Sequence, residues 1–393
     1  MILRINKKTF VLNLAVFIIV LSESVFAANN SVDSLLEYIG YGFLLLYVCW
    51  SFLIHEKRKI GKITLSIILI ILTSVGFLIQ DLSIRRKIIL LFTTVAIAMI
   101  ACISGKTIQT DESNRRLAYT IFGSIVFSAV LAIVSGIGIV DSVDSVEGGL
   151  FAFSGGLNLG MKFKNYFAAD LIAVFLGIYF YYRNVEKKRI DKIMLCIIAL
   201  LIFMSNSRGG ILLFVVALLM LNYRVLGKIA KKQRKLLVVV IFVVGAFVGL
   251  YFYNNVILNV STYAYRYRGL VNFLNHFSDD RYHMLLGISE KVYDQKLDYV
   301  LSVRTITGFD GSLEMAWLNI LVKSGLLGIV GYVLLYVEWI KITVKKKDIV
   351  KKTELITIIT VLLFSSLVEA YIQSMHCIFA IYLYLMINKI CNE

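Results

Sequence analysis

The feature that most constrains the fold of this chain is a series of apolar stretches of roughly 20 residues, separated by short charged segments. A helix of that length crosses the hydrocarbon core of a bilayer and satisfies its own backbone hydrogen bonds there. The sequence therefore predicts an all-α, polytopic transmembrane helical bundle of about 12 spans, forming one integral membrane domain over 1–393. The predicted spans are 10–27, 34–54, 63–80, 88–104, 117–140, 163–182, 193–206, 209–222, 236–254, 313–337, 355–370 and 371–388.

The composition agrees with a membrane protein and excludes a soluble domain of ordinary size. Hydrophobic residues make up 59% of the chain, its mean hydropathy is +0.82, and only 17% of its residues are charged. On a soluble protein the net charge of +16 would suggest nucleic acid. Here the cations lie between apolar stretches, so they indicate orientation in a membrane, and no nucleic-acid partner is predicted.

The cations also predict which ends of the helices face the cytoplasm. Alternate connecting segments carry most of the 41 Lys and Arg residues, and cytoplasmic loops are enriched in these residues. Both termini are therefore predicted inside, with Arg85, Arg86 and Lys87 as an exception on the outer side. The inner segments are RINKK, HEKRKIGK, GKTIQTDESNRR, RNVEKKRIDK, YRVLGKIAKKQRK, KITVKKKDIVKK and NKICNE.

Three stretches allow two interpretations. Residues 193–222 are one long helix or a hairpin; a single helix would place YRVLGKIAKKQRK outside, so we favour a hairpin with SNSRGG at its outer tip. The same ambiguity applies to 355–388. Residues 1–27 also resemble a signal peptide, with a basic start and Val25-Phe26-Ala27 before a cleavage site; cleavage would leave eleven spans.

Two predicted outer segments are long enough to carry function. Residues 141–162 are glycine-rich and lead into a polar span. Residues 255–312 form the large extracytoplasmic loop between spans 9 and 10, and loops of that length are usually functional or disordered. Within it, 285–300 has the apolar spacing of an amphipathic helix, which would lie on the membrane surface or cap the bundle.

Arg208 is the first candidate for ligand binding, because it stands between two short apolar helices. A guanidinium there either extends to the outer headgroups or binds an anion through planar, bidentate hydrogen bonds. Gly209 and Gly210 would allow close approach of the backbone to that anion. In the long loop, Arg281 and Arg304 are further cations that suit a phosphate.

Acids and a histidine supply candidates for proton transfer. Asp310 and Glu314 would share a helix face; they either stabilise a helix start or act as a general base. His283 is either an ordinary loop histidine or a catalytic one. Asp170 and Glu369 lie in predicted spans and are either paired internally or line a polar path. No DxD motif in an outer loop and no CxxC indicates a metal site, and no cofactor is predicted.

Three patches together resemble the Wzy-type polysaccharide repeat-unit polymerases, within the O-antigen polymerase/ligase superfamily. The patches are LGMKFKNYFAADL, NSRGGILL and GFDGSLEMAWLNILVKSGLLGIVGYV. Their order, and the large outer loop between the last two, fit that group as well. The resemblance covers about 155–335.

This resemblance implies an enzyme of the bacterial cytoplasmic membrane, a glycosyltransferase that polymerises units for capsule, exopolysaccharide or O-antigen. Its donor would be an oligosaccharide on undecaprenyl pyrophosphate at the outer face, and its partners membrane lipid, a flippase and a chain-length regulator. Arg208, Arg281 and Arg304 would bind the pyrophosphate, and Lys164 and Asn165 the substrate. Many relatives have His-Pro-Asn where this chain has Phe163-Lys164-Asn165.

This chain differs from the ligase-like members of the superfamily at the position of the catalytic base. Ligase-like members have a His-Asn pair near Asp310, so that Asp310, Glu314 or His283 would have to replace it. Two rival functions remain open. One is a transporter, including a flippase of lipid-linked sugars, and the other is a ligase that attaches finished glycan to another acceptor.

Overall fold

The computed structural model describes most of the predicted spans. The described residues are 7–54, 60–79, 83–102, 110–141, 155–222, 270–271, 274–275, 281–287, 315–373 and 377–392. The predicted span 236–254 and most of the loop 255–312 lie outside them, as do Arg304, Asp310 and Glu314.

Helices form nearly all of the described structure, which confirms the all-α prediction. A two-residue antiparallel pair, β1 (Val140–Asp141) and β2 (Gly156–Leu157), joins Val140 to Leu157, and a short 3-10 helix covers Tyr371–Gln373. The helices are α1 (Lys7–Ser22), α2 (Val25–Asn29), α3 (Asp33–Ile54), α4 (Ile60–Ile79), α5 (Ile84–Cys102), α6 (Asp111–Val134), α7 (Lys164–Asn184), α8 (Arg189–Met204), α9 (Arg208–Leu221), α10 (Arg281–Leu286), α11 (Ala316–Lys345), α12 (Ile349–Val368) and α13 (Ile378–Asn392).

Three of these helices are long and apolar enough to cross a membrane. They are α6, α7 and α11, and five shorter apolar helices accompany them within the described residues. Large apolar side chains also face outward at helical spacing, for example Ile193, Ile197 and Leu200 on α8, which are 40–59% exposed. Because a surface of this kind is unfavourable in water, the chain is a membrane protein.

The core of the bundle is built around α7 and α13. In α13, Leu383, Leu385 and Ile387 are fully buried, and most of α7 is buried as well. Helix α1 packs against α3 and α6 through side chains such as Ala15 and Ile19, which are also fully buried. The outer helices contribute one apolar face to this core and turn the other away from it.

The contacts between helix ends fall into two groups, which correspond to the outer and inner segments that the charge pattern predicts. Contacts at one end of the bundle join segments predicted to be outer, and contacts at the other end join segments predicted to be inner. Lys162 contacts Asp33 at the first end, and Lys389 contacts Asp111 at the second. We call these the outer end and the inner end.

Both hairpins that the sequence left ambiguous are present. Helix α8 ends at Met204 and α9 begins at Arg208, so the SNSRGG turn separates two helices, as favoured. Helices α12 and α13 are likewise separate, with the 3-10 helix between them.

Several predicted span limits were wrong, because local hydrogen bonds rather than hydropathy end the helices. The span 10–27 is interrupted after Ser22, where the Ser24 hydroxyl begins α2 by accepting a hydrogen bond from Ala27 N at 3.1 Å. The span 117–140 begins at Asp111, capped by Thr110, and ends at Val134. The span 313–337 continues to Lys345 and is broken at Gly325.

Residues 281–287 of the long loop pack against α11 at the Gly325 break. Gly325 has φ 63° and ψ −163°, and an added Cβ would lie 2.2 Å from the carbonyl oxygen of Leu285. On the other side, a Cβ on Gly76 of α4 would lie 1.9 Å from Leu286 O. Three backbones therefore meet where α10 docks between α4 and α11.

The docked segment corrects the start of the amphipathic helix predicted over 285–300. Helix α10 ends at Leu286, and Gly287 follows with φ +84°. A Cβ at Gly287 would lie 2.6 Å from the backbone carbon of Lys323, so this glycine is required for the contact. Residues 288–300 lie outside the described residues.

A network of charged side chains ties the helices together at the inner end. The Arg115 Nε lies 2.9 and 3.1 Å from the two carboxylate oxygens of Asp191, and the Tyr119 hydroxyl donates to the same carboxylate at 2.5 Å. Lys351 lies 3.6 Å from Glu354. This network joins α6 to α8 and orders the start of α12.

The orientation of the bundle gives a direct prediction. Phe163 is exposed at the outer end and Lys187 is exposed in the turn between α7 and α8 at the inner end. We expect a Phe163→Cys variant to react with a membrane-impermeant maleimide on intact cells, and a Lys187→Cys variant to react only after the membrane is opened. The chain without an added cysteine gives the background from Cys49 and Cys196, which are exposed. The reverse labelling pattern would contradict this orientation.

Candidate functional site

Asn165, one of the predicted substrate-binding residues, is the centre of a hydrogen-bonded cluster at the outer end. Its side-chain Nδ2 donates to Glu369 Oε1 at 2.9 Å, and its Oδ1 accepts from the Ser207 hydroxyl at 2.8 Å. Its backbone carbonyl accepts from the Tyr371 hydroxyl at 3.0 Å. One residue of α7 thus joins the turn before α9 to the segment after α12. We call Asn165, Ser207, Glu369 and Tyr371 the outer cluster.

Ser207 connects this cluster to the first turn of α9. Its hydroxyl gives its proton to Asn165 and accepts a hydrogen bond from Gly210 N at 3.1 Å, so it is the N-cap of the helix. The preceding turn is fixed by Ser205, whose hydroxyl accepts from Ser207 N, and by Asn206, which has φ +49° and donates to Gly155 O. Asn tolerates this left-handed conformation better than most residues.

Arg208 is the first residue of α9, so its position follows from the outer cluster. It is half-buried and lies directly after the Ser207 cap. The positive end of the helix dipole adds to the charge of its guanidinium, which favours an anion at this point. The structure therefore relates two predicted site residues: Asn165 is bonded to Ser207, and Arg208 is the next residue along the chain.

The two glycines after Arg208 have a different role from the one predicted. An added Cβ on Gly210 would lie 2.5 Å from the Cβ of Ala168 on α7, and one on Gly209 would lie 3.0 Å from Val368 on α12. The backbone N–H of Gly210 is also occupied by Ser207. These glycines allow close helix packing, as small residues do in membrane bundles, rather than opening the backbone to a ligand.

Asp170 lies deeper in the same helix and is enclosed. It is 2% exposed, and its Oδ1 accepts from Phe379 N at 3.0 Å and from the Cys377 thiol at 3.3 Å. Of the two interpretations left open for this acid, internal pairing agrees with these bonds. Asp170 secures the start of α13 against α7 beneath the outer cluster.

The part of the glycine-rich segment that the structure describes, from Gly155 to the start of α7, lies beside the outer cluster. It passes along the corner between α1 and α2, where Val25 N donates to Gly160 O and Lys162 N donates to Glu23 O, both at 2.8 Å. The Lys162 ammonium also lies 2.8 Å from Asp33. These contacts fix where α7 begins and hence where Asn165 lies.

The remaining predicted residues are not brought into the outer cluster by any described contact. Lys164 is half-buried at the start of α7, next to Asn165. Arg281 is exposed at the start of α10, which packs against α11, and His283 lies within the same helix. Arg304, Asp310 and Glu314 lie outside the described residues.

Two members of the cluster were not identified from the sequence. Ser207 was visible only as part of the SNSRGG turn, and its place directly before an apolar helix is the signal of an N-cap. Tyr371 carried no comparable signal. Glu369 was noted as an acid in a span, but the structure places it just after α12, where the backbone is extended.

The class that fold and site define is a helical membrane protein with a polar cluster at one end of the bundle. Comparison with family models and with curated proteins adds no relative: no family model matches the chain, and no curated protein matches it.

Proposed function

We propose that this chain is a polymerase of lipid-linked oligosaccharide repeat units, of the Wzy type, with about 12 spans in the bacterial cytoplasmic membrane. It transfers glycan from undecaprenyl pyrophosphate to the hydroxyl of an acceptor sugar at the outer face. The product is a capsule, exopolysaccharide or O-antigen type polymer. A flippase and a chain-length regulator are the proposed partners.

One observation carries this proposal. Two of the three patches that resemble the polymerases meet through the hydrogen bond from Ser207 Oγ to Asn165 Oδ1, which joins residues 42 positions apart. The third patch includes the first part of α11, where Trp317 donates to Ser366 on α12, close to the end of that helix where Glu369 lies. Patches that are separate in the sequence thus converge at the outer end.

The chemistry of these residues suits a pyrophosphate donor. A guanidinium forms paired hydrogen bonds to phosphate oxygens, and the positive end of the α9 dipole adds to the attraction for an anion at this point. Arg208 balances the charge that develops on pyrophosphate as its bond to the sugar breaks, and such electrostatic stabilisation is often the largest single catalytic effect. The apolar faces of the bundle suit the polyprenyl tail.

The test is the polymer made by cells that carry variants of this chain. We expect Arg208→Ala to abolish long chains and leave single repeat units, because the leaving group loses its counter-charge. The matched control is Arg183→Ala: this arginine lies at the other end of α9, where it donates to Leu221 O at 3.2 Å. Normal chain length in Arg208→Ala at normal protein level would contradict the proposal.

A transporter of the same lipid-linked glycan is the second candidate, and the Gly325 break in α11 favours it. Discontinuous helices with irregular backbone at membrane depth are a feature of transporters. Purified protein in vesicles separates the candidates, because a polymerase extends glycan and a transporter moves it unchanged. A single transfer to a different acceptor, with no ladder of products, would indicate a ligase.

A further inference from the structure

Glu369 is a nearly buried carboxylate at the outer end, placed beside the start of α9. It is 8% exposed and follows α12 in an extended conformation, with φ −140° and ψ 158°. The residue before it, Val368, is the one that a Cβ on Gly209 would contact. The end of α12 therefore lies directly against the first turn of α9, in which Arg208 is the first residue.

Two other acids at the outer end, Asp33 and Asp170, are held by structural contacts. Asp33 is paired with the Lys162 ammonium at 2.8 Å. Asp170 accepts two hydrogen bonds from the start of α13 and lies about 7.5 Å further along α7 than Asn165, at 1.5 Å per residue. Glu369 is bonded to Asn165, the residue that also contacts the turn before Arg208.

We propose that Glu369 accepts the proton of the attacking sugar hydroxyl; this rests on the proposed polymerase function. In this proposal the general base, predicted from the sequence as Asp310, Glu314 or His283, is instead the acid that follows α12. A carboxylate offers about four lone-pair sites, so it can accept hydrogen bonds from Asn165 and from a substrate hydroxyl together.

The reaction replaces one bond at the anomeric carbon of the donor with another. As the hydroxyl oxygen of the acceptor forms its bond to the anomeric carbon of the donor, its proton passes to the Glu369 carboxylate. The bond from the anomeric carbon to the pyrophosphate oxygen breaks, and the pyrophosphate leaves with the electron pair, facing Arg208. The proton on Glu369 is then released to the outer solution.

Asn165 is the positioning residue in this arrangement. Because its Nδ2 donates to Glu369 while its Oδ1 accepts from Ser207, it fixes the distance between the proton acceptor and the turn that carries Arg208. An aspartate at this position would place a second carboxylate against Glu369 and remove the donor. Proper alignment of acid, base and leaving group is worth orders of magnitude in rate.

The experiment compares the same substitution at the two ends of α12. Glu354 is also a buried carboxylate hydrogen-bonded to an asparagine of α7, Asn184, but at the inner end. Purified Glu369→Gln and Glu354→Gln are given lipid-linked repeat units extracted from cells that lack this protein, and glycan extension is measured. Binding is measured separately with undecaprenyl pyrophosphate in micelles.

We expect Glu369→Gln to lose roughly 100-fold or more in extension rate while its affinity for undecaprenyl pyrophosphate stays within about threefold. Glu354→Gln should extend glycan at a rate close to that of the unmodified chain. Extension by Glu369→Gln at the unmodified rate would overturn the proposed role of Glu369 and leave the polymerase function intact. An unmodified protein that makes no polymer would overturn the function itself.

A second pair of variants decides the question if glutamine at 369 prevents folding. Glu369→Asp keeps a carboxylate and Glu369→Ala removes it. We expect the aspartate variant to extend glycan measurably faster than the alanine variant at equal protein level. Equal rates in the two would overturn the proposal, because a group that only packs gains nothing from the carboxylate.

Discussion

A Gly325→Ala variant is expected to unfold at a markedly lower temperature than the unmodified chain. The backbone of Gly325, at φ 63° and ψ −163°, occupies a region that is essentially restricted to glycine, and a side chain there costs about 1–3 kcal/mol. The added methyl group would also lie 2.2 Å from Leu285 O, a backbone atom that cannot move aside alone. The docked segment 281–287 would have to separate from α11.

The measurement is the thermal midpoint of the purified protein in detergent, with Gly123→Ala as the matched control. Gly123 is in α6, and an added Cβ would meet nothing within 4 Å. Because alanine favours a helix over glycine by about 1 kcal/mol, the control should be as stable as the unmodified chain or slightly more stable. Equal midpoints for both variants would show that the break at Gly325 does not depend on glycine.

Removal of Asp191 is expected to have a comparable or larger effect. Its side chain is fully buried, and the Arg115 guanidinium that it binds through both oxygens is only 12% exposed. Breaking a buried ion pair from one side costs about 3–5 kcal/mol. Arg115 would keep Glu112 at 3.4 Å, a longer contact to a more exposed carboxylate. The Asp191→Ala variant should therefore accumulate poorly and unfold early in detergent.

The neighbouring Arg116 provides the control for charge at the same end of α6. It lies 3.2 Å from Glu112, but both side chains are substantially exposed, so Arg116→Ala should cost no more than about 1 kcal/mol. The double variant Arg115→Met and Asp191→Leu should recover part of the stability, since it removes both charges. A single Asp191→Ala variant as stable as Arg116→Ala would contradict the buried-pair interpretation.

Hydropathy and charge were sufficient to predict the helical class, the division of the helix ends into an outer and an inner group, and the hairpin at SNSRGG. These features depend on sums over many residues, so that no single contact decides them. The helix limits depend instead on individual hydrogen bonds, such as those of Thr110 and Ser24, and an apolar residue just outside a cap has the same hydropathy as one inside. This is why α6 begins six residues earlier than predicted.

The outer cluster could be predicted only in part. Asn165 was identified by the patch that contains it and Arg208 by its place between two short apolar helices, but the bond from Asn165 to Glu369 joins residues 204 positions apart. A single sequence contains no information on such a pairing. The Gly325 break was hidden for a similar reason, because its cause is the approach of Leu285 and Gly76 from elsewhere in the chain.

Helix α9 is bracketed at both ends by an asparagine of α7 and a glutamate of α12: Asn165 with Glu369, and Asn184 with Glu354. With 14 residues it is a rod of about 21 Å, at 1.5 Å per residue. A rigid helix moves along its axis as a whole, so one end cannot shift without the other. A displacement of Arg208 along the helix axis would also displace Leu221, which lines a small cavity with Asn184 and Glu354. The two ends of α9 are therefore mechanically coupled.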